Sequence, residues 1–205
     1  MSLRDQNKQD KHARILAAAR DLFAEQGFAA TTTKAVAERA GVATGTVFLY
    51  ARNKEDLLMQ VWRGEIAGAV QMAFGALPKG DLLDQLCHIF GTFGAFYAQD
   101  LALSSVYMRE ALFASGEDGV TNRSFTYEFL GAVGGLVEAA MARGELRPDA
   151  NSVMASTSFF AAYLMVLLGL LHGELDLDGF NGALRACLSQ QIQGLAPGHE
   201  DGVAP

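Results

Sequence analysis

The sequence has few of the residues that disulfide-bonded and metal-binding proteins require. Its 205 residues include two cysteines and four histidines, and no H-x-x-x-H or H-E-x-x-H spacing occurs. We therefore expect no disulfide framework, no metal site and no cofactor. The first residues also lack the apolar segment of a secretion signal, so we expect a cytoplasmic protein.

Signals for β-structure are almost absent too. No Asn-Gly or Asp-Gly turn separates alternating segments, whereas apolar residues recur at helical spacing along the whole chain. The pattern predicts an all-α protein. After a long fourth helix capped by Asn53 and a break at 76–80, helices are predicted over 81–98, 101–115, 120–143, 149–172 and 179–194.

Charge is distributed unevenly between the two ends of the chain. Residues 1–54 hold nine Lys and Arg against five acids, a net charge of +4, whereas the remainder holds seven against eighteen, a net charge of −11. A basic head on an acidic body is typical of proteins that bind nucleic acid. We predict a DNA-binding domain over 1–54, a second domain over 55–196 and a flexible tail over 197–205.

One uncharged stretch, residues 150–173, is long enough to cross a bilayer. Its first half is polar, however, and its continuous apolar run over 159–171 is only 13 residues long. This pattern favours a helix buried against a second copy of the chain. We expect no membrane partner.

Residues 31–54 carry the most informative spacing. Ala37 is small enough for a close helix crossing, and Gly41, four residues later, suits a tight turn. The core between the two helices would consist of Val36, Ala40, Val42 and Val47. This spacing indicates a helix-turn-helix motif, although an ordinary helical hairpin with a glycine turn would share it.

Four short segments in this region resemble one known family. The runs 27–32, 36–42, 45–50 and 54–57 resemble the N-terminal domain of TetR-type transcriptional regulators over about 50 residues. The resemblance implies a three-helix DNA-binding domain with a helix-turn-helix motif, followed by a six-helix ligand-binding and dimerisation domain. It also implies a double-stranded DNA operator as partner.

The resemblance assigns DNA contacts residue by residue. The helix Thr44–Tyr50 would lie in the major groove, and a hydroxyl at the start of the second helix could cap it or meet a phosphate. The residues implied in DNA binding are Thr31, Thr32, Lys34, Thr44, Gly45, Thr46, Phe48, Tyr50 and Lys54. For Lys34, a solvated surface charge is an equal alternative. Ala43, Phe48 and Ala51 replace the Ser, Tyr and Phe usual in the family.

The body is rich in aromatic residues and glycine. The resemblance places a ligand cavity with apolar walls among these helices and so implies a small hydrophobic effector. The ligand-binding candidates are Phe93, Tyr97, Tyr107, Met108, Phe125, Phe129, Phe159 and Tyr163. The last two helices imply a homodimer, with candidate interface residues Phe160, Leu164, Leu184, Leu188 and Ile192. Glycines inside the helices could permit either close helix packing or an adaptable cavity.

These observations favour a ligand-responsive regulator, specifically a repressor that a small apolar effector releases from its operator. Two alternatives stay open. The departures at 43, 48 and 51 are compatible with a helical scaffold that no longer binds DNA. A small all-helical enzyme is less consistent with the sequence, because no G-x-S-x-G motif and no phosphate loop occur.

Overall fold

The computed structural model of the protein describes residues 3–197 and arranges them as helices joined by short turns, with no strand within that range. The all-α prediction is therefore confirmed. The predicted tail lies, apart from Pro197, outside the described residues. The helices are α1 (Leu3–Ala30), α2 (Thr33–Ala40), α3 (Thr44–Val47), α4 (Lys54–Gly75), α5 (Leu82–Ala98), α6 (Leu101–Leu112), α7 (Gly116–Ala142), α8 (Ser152–Leu171) and α9 (Leu177–Gln193).

Short polar side chains define where the helices begin. Asn53 Oδ1 accepts the N–H of Asp56 at 2.7 Å, which confirms the predicted cap of α4. The same Asx geometry opens four further helices, through Asp81 for α5, Asp100 for α6, Asn151 for α8 and Asp176 for α9. Each cap satisfies one of the backbone donors that a helix start leaves unpaired.

The chain divides into two compact units. The first comprises the chain up to Gly68 together with Asp100–Ala114, and the second comprises Ala69–Gln99 and the chain from Ser115 onward. The domain boundary predicted after residue 54 marks the end of the DNA-binding motif. It does not coincide with the division of the chain into these two units. That boundary remains a prediction.

The first unit has its core where α1, α2 and α3 meet. Ile15, Phe23, Val36 and Val47 are each at most 1% exposed. Of the four apolar positions predicted to join the two helices of the motif, Val36, Ala40 and Val47 are buried and Val42 is half-buried. Within this unit α6 packs against α1.

The second unit is a helical bundle in which α5, α8 and α9 pack against one another and α7 packs on α8. Gly94 of α5 lies directly against the ring of Phe180 of α9, leaving no room for a Cβ. At this position the glycine serves close helix packing, which was one of the two predicted alternatives. A Cβ on Gly131 or Gly135 of α7 would meet no atom within 4 Å.

By length and composition alone, α8 could span a membrane. In the fold it packs in the core of the second unit, where Phe159, Tyr163 and Leu167 are at most 4% exposed. Its opposite side leaves Val153, Met154 and Met165 uncovered, each between 65% and 69% exposed. The helix therefore has one buried face and one apolar face that no other part of residues 3–197 covers.

Candidate nucleic-acid interface

The turn between α2 and α3 has the geometry that the sequence spacing predicts. Gly41 adopts the left-handed conformation, with φ 65° and ψ 41°, which glycine reaches without steric cost. The N–H groups of Gly41 and Val42 donate to the carbonyls of Glu38 and Ala37 at 3.2 and 3.0 Å. These bonds close the end of α2 and aim the chain into α3.

The predicted recognition helix Thr44–Tyr50 is shorter in the structure, where the α-helix covers only Thr44–Val47. The N–H groups of Leu49 and Tyr50 donate to carbonyls three residues earlier, at 3.1 and 2.9 Å. The segment thus tightens into successive turns after Val47. Ala43 occupies the N-cap and forms no side-chain cap bond, as its departure from the usual serine implies.

The outward side of this segment carries the side chains that the resemblance implicates. Thr44 and Gly45 are exposed and Thr46 is half-buried, while Phe48 and Leu49 are 53% and 80% exposed. Gly45 has open space around its Cα, so a partner backbone can approach it closely. Leu49 was not among the predicted contacts, although its place between Phe48 and Tyr50 in the same exposed segment could have suggested it.

A hydrogen-bonded network lies behind the recognition segment and fixes Tyr50. The ring of Tyr50 stacks on His12 of α1 with centroids 5.2 Å apart and planes 12° from parallel. Gln60 of α4 joins the two, since its Oε1 lies 2.8 Å from His12 Nε2 and its Nε2 donates to the Tyr50 carbonyl at 2.9 Å. Gln60 Nε2 also donates to Asp56 Oδ1 at 3.1 Å.

Asp56 is the charged centre of this network. Its Oδ2 accepts both the N–H and the Nε–H of Arg52, at 2.9 and 3.0 Å. Burial alone would raise the pKa of the Asp56 carboxyl, but the hydrogen bonds from Arg52 and Gln60 outweigh it and hold the pKa below its ordinary value. Asp56 therefore stays ionised and ties the loop before α4 to the end of the recognition segment.

Two predicted DNA contacts have inward roles in the structure. Thr31 is 1% exposed, and its hydroxyl donates to the carbonyls of Leu22 and Gly27 at 3.2 and 2.9 Å. Lys54 Nζ donates to the carbonyls of Phe28 and Ala29 at 2.7 and 3.3 Å. Both side chains thus serve the kinked end of α1, where Gly27 has φ 79°. This geometry does not suit Thr31 to a phosphate contact.

Two other predicted contacts remain at the surface. Thr32, rather than Thr31, is the N-cap of α2, and its hydroxyl accepts the N–H of Ala35 at 3.1 Å. Lys34 is 77% exposed and lies 3.9 Å from a carboxylate oxygen of Glu38. A pair this exposed holds the lysine weakly, so Lys34 can reach a phosphate.

Only some of the predicted ligand-binding residues lie close together. In the second unit Phe93 contacts both Phe129 and Tyr163, with ring centroids 5.5 Å apart for Phe93–Phe129 and 6.2 Å for Phe93–Tyr163. Phe90, which was not among the predicted ligand-binding residues, stacks on Tyr163 with ring centroids 4.7 Å apart. Phe159 and Tyr97 are buried in the same unit and Phe125 is half-buried.

Tyr107 and Met108 belong to the first unit instead. The Tyr107 ring contacts the indole of Trp62, with centroids 5.7 Å apart. Burial raises the pKa of Tyr107 to about 12, so its phenol stays neutral. The structure therefore assigns Tyr107 and Met108 to the core of the first unit, and the aromatic cluster is defined by Phe90, Phe93, Phe129, Phe160 and Tyr163.

Two of the predicted dimer-interface residues face inward. Leu184 and Leu188 of α9 are at most 1% exposed, because they pack where α9 meets α5 and α8. This burial does not suit the two side chains to a surface between copies. Phe160, Leu164 and Ile192 are half-buried. The uncovered face of α8 could have been found from its period, since Met154, Ala161 and Met165 follow helical spacing.

Within the described part of the chain, no group of three His, Cys, Asp or Glu side chains is close enough to hold a metal ion. Cys87 and Cys187 are free thiols. Burial raises the pKa of the Cys87 thiol, which keeps it protonated and unreactive.

A helix-turn-helix with an exposed recognition segment, carried by a chain of further helices, defines a DNA-binding transcriptional regulator. Residues 15–61 match the family described as bacterial regulatory proteins, tetR family. The match spans the later turns of α1, the helix-turn-helix motif and the first turns of α4.

Relatives extend the likeness beyond the DNA-binding domain. The fatty acid metabolism regulator protein of Bacillus subtilis (strain 168) is 24% identical over 154 residues, which cover 75% of this chain and 79% of that protein. The HTH-type transcriptional repressor KstR2 of Rhodococcus jostii (strain RHA1) is 27% identical over 158 residues, covering 72% and 74%.

Solved structures share the whole fold. FadR of Thermus thermophilus, crystallised with lauroyl-CoA, matches with a TM-score of 0.74 at 21% identity and covers 95% of this chain and all of its own. FadR of Bacillus subtilis, crystallised with stearoyl-CoA, matches with a TM-score of 0.70 at 19% identity, covering 89% and 98%. These likenesses establish the arrangement of helices.

Proposed function

We propose that this protein is a cytoplasmic, homodimeric repressor that binds an operator duplex and leaves it when an apolar effector occupies the helical body. The observation that carries the proposal is the recognition segment itself. Thr44, Gly45, Phe48 and Leu49 are exposed on a motif whose own core is complete. Exposed apolar side chains there suit contact with thymine methyl groups in the major groove.

The proposed DNA contacts are the predicted set without Thr31. Thr44, Gly45 and Thr46 would face base edges and backbone, while Tyr50 and Lys34 would meet phosphates. Lys54 donates to two carbonyls of α1, which leaves one of its three N–H groups for a phosphate. No Arg or Asn lies between positions 43 and 50, so we expect specificity to depend on methyl contacts and DNA shape.

Affinity for DNA provides the first test. A duplex selected from a random pool should bind with an affinity that falls steeply as salt rises, because phosphate contacts release counterions. Thr44→Val should weaken binding to the selected duplex more than to unselected DNA. A chain that binds no duplex at low salt would favour the alternative of a helical scaffold without DNA binding.

For the effector, we propose a long acyl chain, carried as its coenzyme A thioester. The supporting observations are the cluster of Phe90, Phe93, Phe129 and Tyr163, which offers an apolar lining, and the acyl-CoA ligands of the two FadR structures. Binding would have to favour a state with lower DNA affinity, since a ligand that binds both states equally shifts nothing.

The effector test compares four additions to the protein–DNA complex. Lauroyl-CoA and stearoyl-CoA should release the duplex, whereas coenzyme A alone and free laurate should release it less at equal concentration. Phe93→Ala should weaken the response while leaving DNA binding without effector unchanged. Release by coenzyme A alone would contradict the apolar site.

The proposed dimer uses the uncovered face of α8. Val153, Met154 and Met165 form an apolar patch on one side of the helix, and exposed apolar patches of this kind mark association surfaces. Two recognition segments joined in this way would bind one operator with an effective concentration that a single copy lacks.

A further inference from the structure

A groove lies beside the recognition segment, on the side of the first turns of α1. It has a volume of about 590 Å³ and is open to solvent. One wall is formed by Asp5, Lys8, Gln9 and His12 of α1, and the other by Leu49 and Tyr50. The match to the tetR family begins only at residue 15, so the α1 wall of this groove precedes the part of the chain that the family pattern describes.

The two walls are held together by specific contacts. His12 stacks on the Tyr50 ring at 5.2 Å and its Nε2 lies 2.8 Å from Gln60 Oε1. Gln60 in turn binds the Tyr50 carbonyl at 2.9 Å. The first turns of α1 therefore have a fixed position relative to the end of the recognition segment, and the groove between them is part of the fold of the first unit.

The lining favours an anionic partner near Lys8. Lys8 is exposed and lies one helical turn before His12. Residues 3–14 contain Arg4, Lys8, Lys11 and Arg14 against Asp5 and Asp10. Gln9, His12 and Tyr50 add hydrogen-bonding groups to the groove. Asp5 lies at the same wall, so the cationic end of the groove is the one around Lys8.

We propose that this groove receives the sugar–phosphate backbone of the duplex bound by the recognition segment, with Lys8 contacting a phosphate. The proposal rests on the proposed function. A duplex seated on Thr44 and Gly45 must pass its backbone beside Leu49 and Tyr50, because these residues continue the same segment. The groove borders that path, and a lysine there contacts phosphate without reading sequence.

The test uses the full chain and a duplex of 30 base pairs that the wild-type protein has selected from a random pool. Lys8→Gln should reduce the slope of log affinity against log salt concentration by about 0.9 for each subunit bound, and affinity at 0.1 M salt about eightfold per subunit. Lys8→Arg should bind like the wild type. Lys79→Gln, which removes an equally exposed lysine from the second unit, should change neither quantity.

The outcomes separate this inference from the proposed function. If Lys8→Gln has the wild-type salt slope while Thr44→Val loses selective binding, the groove is not a DNA site and the regulator assignment survives. If the wild type binds no duplex, both proposals fail. A slope that falls equally in Lys8→Gln and Lys79→Gln also contradicts the groove, because the effect would then come from net charge alone.

Discussion

The ring of Phe180 occupies the space where a side chain on Gly94 would begin. A Cβ on Gly94 would lie 2.7 Å from Cδ1 and 2.8 Å from Cζ of that ring, and Phe180 itself is fully buried. Helices α5 and α9 can therefore approach each other this closely only because residue 94 has no side chain.

Gly94→Ala should consequently destabilise the protein. The added methyl group forces Phe180 or the helices to move, at a cost of about 1–3 kcal/mol in the free energy of unfolding. Gly131→Ala is the matched control, since it also lies inside a helix but has open space. That change should stabilise by up to about 1 kcal/mol through helix propensity. Urea unfolding of the two variants measures both signs.

Lys54→Met should reveal a structural role for a lysine at the DNA-binding domain. The change removes two bonds to the carbonyls of Phe28 and Ala29 and a cation placed 4.3 Å from the centre of the Phe28 ring. We expect a loss of about 1–2 kcal/mol in unfolding free energy. Lys34→Gln, which removes a nearly free lysine, should change stability by less than about 0.5 kcal/mol. Equal effects of the two changes on stability would contradict the assignment.

Asp56 predicts an acid-sensitive contribution to stability. Because its pKa in the folded state is lowered, ionised Asp56 stabilises the fold above the pKa of an unfolded aspartate, about 3.9. That stabilisation is lost as the pH falls through the lower, folded value. Asp56→Asn should therefore be less stable at pH 7, and the difference from the wild type should shrink below about pH 4. Thermal unfolding of both proteins between pH 7 and pH 3 measures this.

Glu25 and Glu145 also have lowered pKa values, through hydrogen bonds from Arg39 and Arg143 respectively. Asp56→Asn should therefore retain some acid sensitivity. A difference between the variant and the wild type that stays constant with pH would show that the charge of Asp56 contributes nothing.

Met165→Glu should shift the proposed dimer toward monomer, because it places a charge in the uncovered face of α8. Met72→Glu on α4 is the matched control, since Met72 is 65% exposed and Met165 is 68% exposed. Sedimentation velocity at several concentrations should show dissociation of the first variant and little change in the second. Identical behaviour of both variants would place the dimer surface elsewhere.

The helix-turn-helix motif could be predicted because its determinants are local. Gly41 and Ala37 fix the turn and the crossing through their own geometry, and Asn53 caps the helix that begins next to it. Thr31 and Thr32 were harder to separate, because both can cap a helix. The choice depends on the kink at Gly27, whose carbonyl accepts the Thr31 hydroxyl.

The roles of several other residues could not be predicted, because these roles depend on which helices pack against each other. The apolar period of α9 marks Leu184 and Leu188 as one face, but it does not say whether that face meets its own chain or a second copy. For the same reason, the sequence could not distinguish the role of Tyr107 from that of Phe129, since an aromatic residue in a helix does not show in which of the two units it packs. In the sequence, Lys54 cannot be told from a solvated lysine, because only the fold brings the carbonyls of Phe28 and Ala29 next to it.

The hydrogen bonds of Gln60 also assign a tautomer that the sequence could not reveal. Both hydrogens of its amide nitrogen are used, by the Tyr50 carbonyl and by Asp56. Its oxygen must therefore accept, so the hydrogen shared with His12 resides on the imidazole Nε2. Nitrogen-15 chemical shifts of the His12 ring should report Nε2 as a protonated, pyrrole-like nitrogen.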